Sequence, residues 1–213
     1  KTKDGGVPLA VAGDTDWSLF RAYTSLKNSR RAIENGSIAP AVSDFDTTSQ
    51  RDIVNENVQM NFACYGDAPD VDPADMEEWA TSPSNYIRIF TPYLATEVGV
   101  TQRHSGTFDT SKYYMLRSVA SAGTAMLKIA EDFTRVEGIQ IRDLADDVSV
   151  ANIDIEFVGI ATRASDTRVS NTILVGPGLG SATAHAGIRY GSDYYTSFYY
   201  AWNNLLYGFR GLG

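Results

Sequence analysis

Val169-Ser-Asn-Thr-Ile-Leu-Val-Gly176 and Ala201-Trp-Asn-Asn-Leu-Leu-Tyr-Gly208 are two copies of one pattern, and the interval between them decides the fold. The spacing stays at 32 residues: 169 matches 201, 171 matches 203, 173 matches 205, and a glycine closes each copy. Phe133-Thr-Arg-Val-Glu-Gly-Ile-Gln-Ile141 reads as a looser third copy. Its Thr134-Arg-Val136 lies 33 residues before Thr167-Arg-Val169, whereas Ile139 and Ile141 lie 34 before Ile173 and Val175. A one-residue bulge would absorb that mismatch. Apolar residues recur at every second position within each copy, which is the period of a strand.

Working outward, period-two runs continue on both sides. Val58-Gln-Met-Asn-Phe-Ala-Cys64 alternates, with Val58, Met60, Phe62 and Cys64 on one face. Further strands are expected over 86–90, 113–117, 125–129, 133–141, 149–157, 167–175, 187–190 and 197–207. Residues 67–83, rich in Asp and Pro, read as a long loop with one helical turn at 74–80, and residues 1–16 as a flexible leader. One helix is expected: Ser25 caps a segment over 26–34 that Gly36 stops. Its Leu26 and Ile33 would cover the first strands. Strands repeating at this interval, with no helical pattern between them, imply stacked rungs of a parallel β-helix rather than alternating βα units. The expected organisation is an N-terminal cap over 17–57 followed by rungs over 58–213.

Composition narrows the function classes. Of 213 residues 43% are hydrophobic, enough for a real core, and no run of 18 apolar residues exists to span a membrane. The net charge of −8 and the lack of a basic stripe argue against nucleic-acid binding. Cys64 is the only cysteine and sits in an apolar run, as a buried structural thiol does. His104 and His185 are far apart, with no second ligand at metal spacing, so no metal site is expected from them. Val175-Gly-Pro-Gly-Leu-Gly180 lacks a following helical pattern and reads as a plain turn.

Ser84-Asn-Tyr-Ile-Arg-Ile89, Arg103-His-Ser-Gly-Thr-Phe-Asp-Thr-Ser-Lys-Tyr113, Thr134-Arg-Val-Glu-Gly-Ile-Gln-Ile141 and the strands ending in Gly176 and Gly208 carry a resemblance. With Tyr23-Thr-Ser-Leu26, they resemble the right-handed parallel β-helix proteins of the pectate-lyase-like superfamily. The nearest likeness is to phage and environmental bacterial β-helix proteins, and it spans residues 17 to 213. The resemblance implies an all-β, right-handed parallel β-helix (solenoid) with a short N-terminal capping helix. It also implies an extracellular or virion-surface location. Members include lyases, hydrolases, tailspikes and adhesins, so fold alone assigns no reaction. Such proteins carry a longer series of rungs, so the chain is expected to be cut, or covered by something else, beyond Gly213.

Three groups of residues are candidates for function. Asp154 and Glu156, in Asn152-Ile-Asp-Ile-Glu-Phe157, would share the outer face with Cα atoms about 6.5–7 Å apart. Such a pair suits inverting glycoside hydrolysis, or calcium with Asp143, Asp146 and Asp147, or a plain solvated face. Asn171 and Asn203, recurring in an inward phase, suit a side-chain amide ladder at a rung corner. Phe198, Tyr200 and Trp202 should point outward, as a sugar-stacking platform, a contact for the next rung's loops, or a subunit interface. Arg135 and Arg168 would stack on neighbouring rungs. The expected function is a structural or adhesive module that binds polysaccharide, copies of itself or other structural subunits; the alternative is a polysaccharide lyase or glycoside hydrolase.

Overall fold

The computed structural model describes residues 20–40, 51–97, 101–118, 125–145, 153–158, 166–178, 185–191 and 198–209. The leader over 1–16 lies outside them. The described chain is all-β apart from a single five-residue helix, and every strand pair is parallel. The first sheet runs β1 (Met60–Ala63), β3 (Ile87–Phe90), β6 (Thr134–Glu137), β9 (Asp166–Ser170), β12 (Phe198–Trp202). The second runs β4 (Met115–Arg117), β7 (Gln140–Asp143), β10 (Ile173–Val175), β13 (Leu205–Tyr207). The third runs β2 (Ala74–Met76), β5 (Ala125–Ile129), β8 (Ile153–Phe157), β11 (Ala186–Tyr190). From β3 onward the chain visits first, second and third sheet in unbroken rotation, so each strand pairs with its counterpart one circuit later.

Parallel sheets ordinarily need helices to cover both faces. Here the sheets cover one another instead, through files of apolar side chains in register. Phe62, Ile89, Val136, Val169 and Ala201 form one file in the first sheet. Met115, Ile141, Leu174 and Leu206 form another in the second, and Met76, Ile129, Phe157 and Tyr190 a third. Each fully buried Ile, Leu or Phe in these files contributes about 1.5–3 kcal/mol. Phe157 lies stacked against Tyr190 with ring centroids 5.3 Å apart, while Tyr199 tilts onto both rings.

Several local expectations need correction. The copies at 133–141, 167–175 and 197–207 are not single strands: each is two strands joined by a two-residue corner at 138–139, 171–172 and 203–204. Gly138, Asn171 and Asn203 take positive φ there (76°, 54° and 54°), which swings the chain into the next sheet. The bulge is not needed either. Arg135 pairs with Arg168 and Gln140 with Ile173, a constant 33-residue step, because Gln140 and not Ile139 holds the strand position. Gln140 is buried where its neighbours are aliphatic because its amide serves the backbone of Asp109 and Tyr113. Residues 74–76 form a strand, not a helical turn. Alternation places Ala74 and Met76 inward and Asp75 outward.

The N-terminal helix is shorter than expected. α1 (Leu26–Arg30) is capped by the Ser25 hydroxyl, which accepts from Asn28 N, and it stops because Ala32 adopts φ 53°. Leu26 enters the core, but Ile33 lies beyond the helix and is exposed, so it covers no strand. α1 packs against β2. Asp70 fastens it: one carboxylate oxygen accepts from Leu26 N (2.8 Å) and the Tyr113 hydroxyl (3.0 Å), and the residue bridges to Met115.

Candidate functional site

The outer row of the third sheet shows what surrounds the two candidate carboxylates. In register across four strands stand Asp75, Lys128, Glu156 and Arg189, so charge alternates from strand to strand. Glu156 accepts a close hydrogen bond from Arg189 and is only 8% exposed. It is a member of an ion ladder, not an open catalytic acid.

Asp154, two residues earlier, is 1% exposed, and the expectation that it faces solvent is overturned. It stands between Met126 and Gly187, which bring no polar group to it. The charged groups acting on it come from the corner between second and third sheets. Asp143 ends β7, Arg117 ends β4, and His185 precedes β11. Arg117 Nε lies 3.7 Å from Asp143 Oδ2, and its Nη2 donates to the Ile153 carbonyl at 2.6 Å. His185 Nδ1 lies 3.9 Å from the same Asp143 oxygen. Neither Asp154 oxygen has a hydrogen-bond partner among the described residues.

Electrostatics follow from that enclosure. Burial first, and Asp143 second, push the Asp154 carboxyl well above the ordinary range, only partly countered by Arg117. Burial also raises Asp143, and it lowers Arg117 despite both carboxylates. Asp154 therefore keeps its proton to higher pH than an ordinary carboxyl does. No group of three His, Cys, Asp or Glu among the described residues is placed to hold a metal ion. Asp146 and Asp147, considered with Asp143 for calcium, lie outside the described residues.

On the outer face of the first sheet a second file runs Asn61, Arg88, Arg135, Arg168, Tyr200. Arg88 is bound to Glu137 and Glu97, and its guanidinium lies 3.9 Å from the Phe90 ring centroid. Arg135 stacks 3.6 Å over Tyr86, and Arg168 pairs with Asp166 at 2.6 Å. Composition alone could not find Arg88, because the step from β3 to β6 is longer than the later ones.

The corner asparagines form a ladder. Asn203 Nδ2 donates to Asn171 Oδ1, while Asn204 Oδ1 accepts from both the backbone N and the hydroxyl of Thr172. Their side chains do not occupy the inward phase expected of them; they stand at the corner, where the backbone is left-handed and the two amides meet.

Among the described strands β11, β12 and β13 stand last in the three sheets. Phe198, Tyr200 and Trp202 are all about half exposed. So are residues in register with complete burial: Leu206 is 43% exposed where Leu174 is 0%, and Tyr190 46% where Phe157 is 1%. No helix among the described residues is long and apolar enough to cross a membrane. No protein-family model, curated protein or solved structure matches the chain.

Proposed function

We propose that this chain is a right-handed parallel β-helix of the pectate-lyase-like kind, serving as a structural or adhesive module outside the cell or on a virion surface. The handedness rests on the strong preference of parallel connections for a right-handed path. One observation supports the role: Phe198, Tyr200 and Trp202 form an exposed aromatic row on β12, continuing the outer face on which Arg88, Arg135 and Arg168 stand in file. An exposed aromatic row of this kind marks a contact surface. The partners proposed are structural subunits, copies of the chain, and polysaccharide along the aromatic and arginine-bearing faces.

A polysaccharide lyase or glycoside hydrolase is the second reading, favoured by the convergence of Asp143, Asp154, Arg117 and His185. Against it stands burial: a sugar ring cannot reach a carboxyl that is 1% exposed. The test is incubation with a panel of neutral and acidic polysaccharides, following both retardation in affinity electrophoresis and release of new chain ends. Retardation without cleavage is expected. Cleavage that disappears in Asp154→Asn would replace the structural reading with the enzymatic one.

A further inference from the structure

The charged residues that converge where the second sheet meets the third lie inside the coil, and they do not satisfy one another. Arg117 follows Met115, and Asp143 follows Ile141, at alternate positions of paired strands, so both share the inward phase of those core residues. Arg117 is 4% exposed, and Asp143 and Asp154 are each 1% exposed. Even so, Arg117 Nε and Nη1, Asp143 Oδ2 and both Asp154 oxygens have no hydrogen-bond partner among the described residues. The equally enclosed Gln140 amide, by contrast, is fully engaged with the backbone of Asp109 and Tyr113.

The space beside these atoms is closed, and two glycines border it. Asp154 stands between Met126 of the core and Gly187, and Asp143 stands beside Gly176, one step after the pair of Arg142 and Val175. A Cβ at Gly187 would come within 2.8 Å of Leu206 Cδ2 and 3.1 Å of the Phe209 ring, and one at Gly176 within 2.9 Å of Phe209 Cδ1. Leu206 and Phe209 thus close this side with carbon that offers no hydrogen bond. Arg117 Nε lies 3.7 Å from Asp143 Oδ2, yet no ion pair joins Arg117 to Asp154, although each acts on the other electrostatically. A gap too wide for one hydrogen bond can be crossed by two in series, which span about 5–6 Å.

We infer that this junction is a binding site for ordered water: one or more molecules sealed inside the coil and hydrogen-bonded to Arg117 Nη1, Asp143 Oδ2 and the Asp154 carboxyl. The donor set selects water over an ion. Arg117 repels a cation and Asp143 repels an anion. The unpartnered atoms include both donors and acceptors, which a molecule that donates twice and accepts twice can meet. Buried waters take such places, making about three hydrogen bonds each to polar groups that have no other partner. The site needs no access from solvent, and it holds whether or not the chain binds a glycan.

A high-resolution crystal structure of the full chain and magnetic relaxation dispersion of water in its solutions test this together. Expected is density at hydrogen-bond distance, about 2.7–3.2 Å, from both Arg117 Nη1 and a carboxyl oxygen of Asp143 or Asp154. In solution, Asp154→Leu should lose at least one long-lived water that the wild type holds. Crystals grown in rubidium chloride should show the same density, no stronger. Arg117 closed directly onto Asp154, with nothing between them, overturns the inference. Density that strengthens in rubidium overturns it as well, by making the occupant a cation. Equal numbers of long-lived waters in the wild type and a folded Asp154→Leu place those waters elsewhere and also overturn it. Should the variant fail to fold, the wild-type density decides alone.

Discussion

Asn171 and Asn203 hold the same corner one circuit apart, each at φ 54°, with the amide of the later residue donating to the carbonyl oxygen of the earlier. Two requirements meet in one residue type. Asparagine enters the left-handed region at little cost, and its side chain can both donate and accept. Alanine meets neither and glycine meets the first. Asn171→Ala should lower stability by about 1–3 kcal/mol, from backbone strain and one lost hydrogen bond. Asn171→Gly should cost clearly less. Urea denaturation of the two variants decides, and equal midpoints would show that the corner does not depend on backbone conformation.

Cys64 should be chemically silent in the folded protein. Burial is the main cause that pushes its thiol up to about 12, with Asp70 adding to it, and the side chain packs in the core. The thiolate is the reactive species, so a thiol reagent at pH 8 should label the native protein far more slowly than the urea-unfolded chain. Labelling at the free-cysteine rate without denaturant would contradict the enclosed position.

The Asp154 cluster predicts an unusual pH dependence. A carboxyl whose folded pKa lies above its unfolded value holds its proton more tightly when folded, so it favours the native state at low pH. That advantage is present below the ordinary carboxylate range and is lost as pH rises through the raised folded value. Asp154→Asn stays neutral throughout. Its stability relative to the wild type should therefore grow as pH rises above the ordinary carboxylate range, measured by urea titration at several pH values. Arg117→Met acts oppositely: it removes a cation beside Asp143 and Asp154, and a buried partner deletion of this kind costs about 3–5 kcal/mol. Parallel pH curves for Asp154→Asn and wild type would mean that Asp154 is already solvated.

The fold was largely legible because strands of a repeat announce themselves twice, by period two and by interval. Ile87, Ile89, Val136 and Val169 alternate with outward residues, and no helical pattern intervenes. Corners were harder to see. Asn171 and Ile139 fall within continuous apolar-alternating runs, and hydropathy does not register that a backbone has turned left-handed. The same limit misplaced Gln140, whose buried amide looks polar in sequence but serves two backbone segments. For Asp154 the expectation of an outward, solvated carboxyl failed. Alternation locates a side chain on a sheet face, yet Arg117, Asp143 and His185 come from other segments and share no spacing with it. Phe198, Tyr200 and Trp202 alternate with Ala201, which stands in register with the buried Val169.

Leu174 and Leu206 are consecutive members of one file with opposite exposure, and their truncations should separate accordingly. Leu174 is enclosed by strands on both sides, so Leu174→Ala removes buried methyl groups and leaves a cavity, at about 2–5 kcal/mol. Leu206 has one strand neighbour among the described residues and is 43% exposed, so Leu206→Ala should cost well under half as much. Urea denaturation of the two variants checks the comparison, and equal losses would show that Leu206 is enclosed as Leu174 is.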